Sequence, residues 1–271
     1  MIVVTGATGN VGRSLVQVLA AAGEKVTAVS RGASQVPQGV SHRQADLGEP
    51  ESLNPVLDGA DTLFLLVAGE DPQGIVEAAR AGGVGRVVLL SSQGAGTRPE
   101  VYRHPLAFED AVQRSGLEWT ILRPGGFASN AFAWAETVRS RRTAAAPFGD
   151  VGLPFIDPAD IAEVAAAVLC DGGHAGRTYE LTGPASVTPR QRVQAIGEAL
   201  GAPVRFVEQS REEARAQMLQ FMPEPVVEGT LAILGEPMPA EQRVSPHVEQ
   251  ILGRPPRTFA EWAARNVAAF R

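Results

Sequence analysis

The sequence predicts an α/β protein built on a doubly wound parallel sheet. Short apolar runs alternate with helical patterns along the first half of the chain, and most of these runs are apolar throughout. Strands that are apolar on both faces are typical of parallel sheets covered by helices, and their alternation with helices indicates crossover connections. With 271 residues and 44% hydrophobic content, the chain is long enough to bury one large core.

The elements follow a strand–helix rhythm up to about residue 150. After a first strand in MIVVTG, a helix is predicted in VGRSLVQVLAAAG, where Gly23 marks its end. Later strands are predicted in KVTAVSR, DTLFLLVAG, RVVLLSSQG and EWTILRPGG. The helices between them are predicted in ESLNPVLDG, DPQGIVEAARAGG and AFEDAVQRSG.

Beyond residue 150 the pattern changes. Helical patterns in FIDPADIAEVAAAVL and TPRQRVQAIGEALG precede a proline-rich stretch from 217 to 256. We therefore divide the chain into a domain over residues 1–150 and a smaller C-terminal lobe over residues 151–271. The run RTYELTG, residues 177–183, is expected to return as a strand to the sheet of the first domain.

Charge and composition exclude several classes of function. A formal net charge of -6 disfavours binding to nucleic acid or to an anionic membrane, and no apolar run is long enough to span a bilayer. The four histidines stand far apart, so no metal site is expected. The one cysteine, Cys170, excludes an internal disulfide, and its apolar helical context predicts a buried, unreactive thiol. Because the chain opens directly on a strand, we expect a cytoplasmic protein.

The segment VTGATGNVGRSL, residues 4–15, places three glycines between the first strand and the first helix. The free N–H groups and the positive dipole end of a helix favour an anion at such a turn. Gly6 and Gly9 would let the backbone approach a pyrophosphate, and Gly12 would let the helix pack closely on the strand. The turn therefore predicts a dinucleotide site.

The end of the second strand indicates which dinucleotide binds. Sites for NAD carry an acidic residue there, which accepts hydrogen bonds from the ribose 2′-hydroxyl. Here the strand ends in Ser30 and Arg31, and a guanidinium can form a forked pair with a 2′-phosphate. We therefore expect NADP(H) as the cofactor, the alternative being that Arg31 is an ordinary solvated residue.

Several further segments support a family resemblance. The motifs TGATGNVG, ADL at 45–47, SGLEWTILRPGGF at 115–127, PFIDPADIAEV at 154–164 and RTYELTGP at 177–184 together resemble the NmrA-like group of atypical short-chain dehydrogenases/reductases. The resemblance runs almost from end to end of the chain. It implies a Rossmann-type NADP(H)-binding domain followed by a small substrate-binding lobe.

The resemblance also implies roles for individual residues around the cofactor. Those expected at the pyrophosphate are Gly6, Thr8, Gly9, Asn10 and Val11, with Ser30 and Arg31 at the 2′-phosphate. Those expected at the adenine and ribose are Asp46, Leu47, Val67, Ala68 and Gly69. Those expected beside or over the nicotinamide are Ser91, Ser92, Pro124, Gly125 and Phe127.

The catalytic pair of short-chain dehydrogenases is incomplete. These enzymes use a tyrosine whose pKa is lowered by a lysine, but the only lysine here is Lys25, at the start of the second strand. Related sequences carry the lysine four residues before the glutamate that matches Glu109, where this chain has Pro105. Tyr102 and His104 lie nearby and are our candidate catalytic residues.

The missing lysine favours an acceptor that needs no strong acid. We predict an NADPH-dependent oxidoreductase acting on a quinone or polycyclic aromatic compound, as a tailoring enzyme of secondary metabolism. One alternative is a flavin-independent, NADPH-assisted monooxygenase of an aromatic polyketide. Another is a non-catalytic NADP(H)-sensing regulator that binds a protein partner, since the NmrA-like group includes such regulators.

The C-terminal lobe is expected to supply an apolar pocket. Aromatic and methionine side chains suit a flat substrate, and the candidates are Phe127, Phe132, Trp134, Met218 and Met222. Ordinary core packing is the alternative for each of them. The oligomeric state stays open, with a homodimer as one option.

Overall fold

The structure is a computed structural model that describes residues 1–271. Nine strands are present: β1 Ile2–Val4, β2 Val26–Ser30, β3 Ser41–Gln44, β4 Thr62–Leu66, β5 Arg86–Leu90, β6 Glu118–Pro124, β7 Thr143–Ala146, β8 Arg177–Leu181 and β9 Arg205–Glu208. Seven of them form a parallel sheet in the order β3-β2-β1-β4-β5-β6-β8. The predicted doubly wound parallel sheet is therefore confirmed, and its strand order reverses between β1 and β4.

Helices separate most consecutive strands, and the last five helices follow β9. Those of the first half are α1 Gly12–Ala21, α2 Asn54–Leu57, α3 Pro72–Ala81, α4 Gln93–Thr97 and α5 Arg103–Arg114. Those that follow are α6 Ala135–Arg141, α7 Pro158–Cys170, α8 Pro189–Leu200, α9 Arg211–Met218, α10 Glu224–Gly235, α11 Pro239–Gln242, α12 His247–Leu252 and α13 Phe259–Arg265. Short 3-10 helices cover Pro50–Leu53, Ala128–Trp134 and Val267–Phe270.

The chain separates into two compact units. The first unit comprises residues 1–124, 158–181 and 247–253, and the second unit comprises residues 125–157, 182–246 and 254–271. These bounds differ from a single division at residue 150, because segment 125–157 belongs to the second unit and α7 to the first. Strand β8 pairs with β6 in the main sheet, where RTYELTG is expected.

The first unit has its core between the sheet and the helices. The central strands β1, β2, β4 and β5 are almost entirely buried, and α7 packs against α1 on one side of the sheet. Strand β3 lies at the sheet edge with mostly exposed side chains, which explains why no apolar run marks it.

The second unit contains the parallel pair β7 and β9 and two apolar clusters. Its larger cluster joins the 3-10 helix Ala128–Trp134 to α8 and α13. The pocket candidates Met218 and Met222 do not share a helix, because α9 ends at Met218.

No helix combines the length and apolar character needed to cross a membrane.

Candidate functional site

Hydrogen bonds fix the glycine turn after β1. The Thr5 hydroxyl donates to the Phe64 carbonyl at 2.9 Å and accepts the Leu66 N–H at 2.9 Å, which attaches the strand end to β4. On the other side, the Ala7 N–H donates to the Val29 carbonyl of β2 at 3.0 Å. The turn is therefore held between the two strands that flank β1, at the carboxyl end of the sheet, where doubly wound proteins bind ligands.

The glycines are needed because the backbone folds back on itself. A Cβ atom at Gly12 would lie 2.2 Å from the Gly6 carbonyl oxygen, and one at Gly9 would lie 3.2 Å from the same atom. Gly6 itself has a φ of +61°, which L-residues with side chains rarely adopt. Helix α1 begins at Gly12, and its positive dipole end favours an anion, although the N–H groups of Arg13 and Leu15 already donate to the carbonyls of Gly9 and Val11.

A cavity of about 390 Å³ adjoins this turn. It brings together nine of the residues predicted to bind the cofactor: Gly6, Thr8, Gly9, Ser30, Arg31, Asp46, Leu47, Ala68 and Gly69. The predicted residues Asn10, Val11, Val67, Ser91, Ser92, Pro124, Gly125 and Phe127 are not in its lining. Thr5, Val29, Ala45, Gly48 and Leu66 also line it, although no sequence signal singled them out.

Arg31 is the exposed cation of this cavity, and no carboxylate follows β2. The neighbouring Ser30 hydroxyl donates to the Gly32 carbonyl at 2.8 Å and lies 2.8 Å from Nε2 of His42 on β3. Because Ser30 is already hydrogen-bonded in this way, Arg31 is the side chain free to meet an added phosphate. His42 was not anticipated from the sequence, since β3 has no apolar pattern.

The far wall of the cavity depends on another glycine. A Cβ at Gly69 would lie 2.2 Å from the Leu47 carbonyl oxygen, and Gly69 has a φ of +86°. Nε2 of His104 donates to the Gly69 carbonyl at 2.7 Å, so the predicted catalytic His104 lies directly beside this wall. The His104 ring also meets Phe108 edge to face, with 5.2 Å between ring centroids.

Tyr102 packs against the start of α4. A Cβ at Gly94 would lie 2.4 Å from the Tyr102 ring, so a side chain at Gly94 would displace the tyrosine. Gly94 donates its N–H to the Ser92 hydroxyl at 3.2 Å, which caps α4. Tyr102 therefore lies close to the Ser91–Ser92 segment at the carboxyl end of β5.

A buried ionic network lies beneath that segment. The Ser91 hydroxyl donates to Oε1 of Glu109 at 2.5 Å. Arg123 donates two hydrogen bonds to the same carboxylate, from Nε at 2.9 Å and from a terminal nitrogen at 2.5 Å. The hydrogen bond to Glu109 raises the pKa of Arg123 above its usual range. Ser91 is thus oriented by a carboxylate, which sequence reasoning missed because Glu109 and Arg123 lie on different elements.

The predicted substrate residues separate into two groups within the second unit. Trp134 is buried in the larger cluster and donates its indole N–H to the Ala145 carbonyl at 2.9 Å. Phe132, also next to this cluster, packs against Trp262 with 5.0 Å between ring centroids. Met218 and Met222 pack instead against the smaller cluster around Ala214, Val227 and Leu231. Phe127 precedes the 3-10 helix and pairs with Ile156.

The expectation of a buried cysteine is wrong. Cys170 ends α7 with its side chain exposed. Partial desolvation, followed by the carboxylates of Glu24 and Asp171, raises the pKa of its thiol, so little of the reactive thiolate forms near neutral pH. No group of three or more histidine, cysteine, aspartate and glutamate side chains could hold a metal ion.

Comparison with known proteins agrees with the geometry of the cavity. Residues 6–171 match the family model described as NAD(P)H-binding. A (4-alkanoyl-5-oxo-2,5-dihydrofuran-3-yl)methyl phosphate reductase of Streptomyces griseus is 36% identical, the alignment covering 100% of this chain and 99% of the relative. An NAD(P)H azoreductase of Xenophilus azovorans is 32% identical, with the same coverage of both chains.

Solved structures of other proteins also share the fold of this chain. The NADPH-dependent quinone oxidoreductase of Escherichia coli, solved with NADPH, superimposes with a TM-score of 0.82 at 26% identity, covering 98% of this chain and 99% of that chain. The negative transcriptional regulator Nmra shares the fold, with a TM-score of 0.76 at 21% identity over 98% of this chain and 95% of that chain. The resemblance to the NmrA-like group is therefore confirmed.

Proposed function

This chain belongs to the NAD(P)H-binding family and is an oxidoreductase, and we propose that it transfers hydride from NADPH to a quinone or related conjugated aromatic acceptor. The observation that carries this proposal is the cavity that brings Arg31 together with the glycine turn. The relatives described above are named for reducing a dihydrofuranyl phosphate, azo compounds and quinones, which supports a reductase of small conjugated acceptors.

The residues of the cavity fit a dinucleotide phosphate. Gly6 and Gly9 line the cavity next to the N-terminus of α1, where a diphosphate would bind, and Gly12 lets the helix pack closely on the Gly6 carbonyl. Arg31 would pair with the 2′-phosphate, and the Asp46 side chain, which accepts the Gly48 N–H at 2.9 Å, would lie along the adenine. When bound, NADPH supplies the hydride, which with one proton converts a quinone to a hydroquinone.

The chain must deliver that proton without the lysine of the usual catalytic pair. Tyr102 and His104 are the candidate donors, whereas Ser91 already donates its proton to the buried Glu109. Nε2 of His104 is engaged by the Gly69 carbonyl, so His104 could deliver a proton only from Nδ1 of its charged form. A phenolate-like product is weakly basic, and this lowers the demand on either group.

The test is oxidation of NADPH and NADH without oxygen, with a naphthoquinone or an azo dye as the acceptor. We expect turnover with NADPH, and a lower kcat in Tyr102→Phe than in the control Tyr179→Phe. Tyr179 lies on β8, and its hydroxyl is 2.8 Å from Nδ1 of His174. Binding of NADPH without turnover of any acceptor would contradict the proposal and favour the regulator. Oxygen uptake matched by a hydroxylated product would favour the monooxygenase.

A further inference from the structure

Arg192 on α8 is a buried cation with no anionic partner. The residue is 5% exposed, and its Nε is the only side-chain nitrogen or oxygen in the chain that is fully buried without a hydrogen-bond partner. No ion pair involves its guanidinium, although the neighbouring Arg190 pairs with both Asp150 and Glu208. Buried charges in proteins are ordinarily paired, so Arg192 is an exception that calls for a cause.

Three aromatic rings of the second unit surround this guanidinium. Its central carbon lies 3.9 Å from the ring centroid of Phe155, 4.9 Å from that of Trp134 and 6.0 Å from that of Phe259. Such rings attract a cation through their faces, and each close contact contributes about 2 kcal/mol or more when desolvated. A guanidinium donates its hydrogen bonds in its own plane, so stacking against ring faces satisfies none of its N–H groups.

The buried carboxylate within two residues of these rings is already used. Asp157, two residues beyond Phe155, is buried and forms an ion pair with Arg265 of α13. Burial of Arg192 without compensation lowers the pKa of its guanidinium to about 9. The fold therefore keeps a buried cation between aromatic rings with its Nε–H group unpaired, and an anion that accepted this hydrogen bond would supply the missing counter-charge.

The enclosure adjoins the segment that follows β6. A Cβ at Gly126 would lie 2.7 Å from Cε1 of Phe155, whose ring in turn stacks on the guanidinium. One aromatic ring thus separates Arg192 from Gly126, next to Gly125 and Phe127, which we expect at the nicotinamide. An oxyanion at Arg192 would be close to the part of the second unit that meets the acceptor.

We propose that Arg192 forms an oxyanion site in the second unit and that its ligand is a carboxylate or phosphate group carried by the acceptor substrate. This inference rests on the proposed reductase function for the source of the anion. The existence of the site itself does not depend on turnover. Apolar or cationic acceptors would gain nothing from Arg192, so the site would act in substrate selection.

The kinetic test compares a naphthoquinone carboxylic acid with its methyl ester as acceptors for NADPH oxidation. We expect the wild-type protein to prefer the acid in kcat/KM by about 10- to 100-fold, the usual scale for a hydrogen-bonded ion pair. Arg192→Met should abolish this preference, Arg192→Lys should retain part of it, and the control Arg190→Met on the same helix should retain all of it. Equal preferences in wild type and Arg192→Met would overturn the proposal.

A binding test remains valid if neither quinone is reduced. With NADP⁺ at saturation to occupy the cofactor site, inorganic phosphate should raise the thermal unfolding midpoint of the wild-type protein more than that of Arg192→Met, at matched ionic strength. Identical shifts would show no anion site at Arg192. A shift specific to the wild type without any preference for the acid would assign the site to free phosphate and refute the assignment to the acceptor.

Discussion

Each unit of this protein contains an arginine that is withdrawn from solvent, partly for Arg123 and almost completely for Arg192, and the two arginines differ in their partners. In the first unit, Arg123 forms two bonds with Glu109, which also accepts the Ser91 hydroxyl. In the second unit, Arg192 is enclosed by Phe155, Trp134 and Phe259 and meets no carboxylate. The pKa of Arg123 is accordingly raised, whereas that of Arg192 is lowered to about 9.

An arginine can obtain its counter-charge from a carboxylate of the chain or from an anion of a bound ligand. Arg123 receives it from within the fold, and the resulting network holds Ser91 at the end of β5 in one orientation. Arg31, exposed at the cofactor cavity, would receive it from the 2′-phosphate. Arg192 resembles Arg31 in having no partner within the chain but, unlike Arg31, it is buried, so an incoming anion would matter most there.

The largest expected effect comes from breaking the built-in pair. Glu109→Gln would remove the carboxylate that Arg123 binds, and because Arg123 is partly exposed, the cost should be at or below the lower end of the about 3 to 5 kcal/mol typical of fully buried ion pairs. Urea unfolding should show this decrease in the free energy of unfolding. The control is Glu118→Gln, which removes the exposed partner of Arg86 at 3.1 Å and should cost less than about 1 kcal/mol. Similar losses in both variants would mean that burial adds nothing to the Arg123 pair.

The next effect concerns the arginine whose partner would arrive with the cofactor. Arg31→Ala should weaken NADPH binding by about 1.5 to 3 kcal/mol and leave NADH binding almost unchanged, because only NADPH carries the 2′-phosphate. Isothermal titration calorimetry with both coenzymes measures the difference. Arg43→Ala, on the exposed edge strand β3, is the matched control and should bind NADPH as the wild type does. An equal loss for NADH would refute the phosphate role of Arg31.

The sequence predicted those parts of the molecule whose signals are local. The strands β1, β2, β4, β5 and β6 are marked by continuous apolar runs, and the glycine turn is a short motif between a strand and a helix. Strand β3 was missed because an edge strand with exposed side chains needs no apolar pattern. The pair β7 and β9 was missed because segments about 60 residues apart pair through main-chain bonds, which no local pattern records.

The sequence did not predict the roles of Arg123 and Arg192, and the physical reason is the same for both. Arg192 lies in TPRQRVQAIG, where neighbouring polar residues resemble a solvated helix face. Its burial depends on Phe155 and Phe259, which lie far from it in sequence. Likewise, the pairing of Arg123 with Glu109 joins β6 to α5. Local patterns indicate which elements form, whereas the charge balance of a site depends on which elements meet.

A smaller effect, of opposite sign to that of Glu109→Gln, is expected in the second unit. Arg192→Met replaces an unpaired buried cation with an apolar side chain of similar length, and such replacements are often neutral or stabilising. We expect the free energy of unfolding to rise by about 1 to 3 kcal/mol in a buffer without carboxylate or phosphate. Urea unfolding beside Arg190→Met, which loses an exposed pair, measures this gain. A loss of several kcal/mol would show that the aromatic rings fully compensate the charge.

The smallest effect is the pH dependence of that gain. Burial lowers the pKa of Arg192 to about 9, while the unfolded chain keeps the much higher ordinary pKa of an arginine. Between these values the unfolded state binds more protons than the folded state, so this residue makes the wild-type protein more stable as pH rises. Below about pH 9 the wild-type protein carries the full cost of burying the charged guanidinium. The stability difference between Arg192→Met and wild type should therefore shrink by roughly 1 kcal/mol at about pH 10.

Other titrating groups are common to both proteins and cancel in this difference. A difference that stays constant up to about pH 10 would mean that the guanidinium keeps its proton in the folded state, and the cost of its burial would then have to be offset by the rings alone.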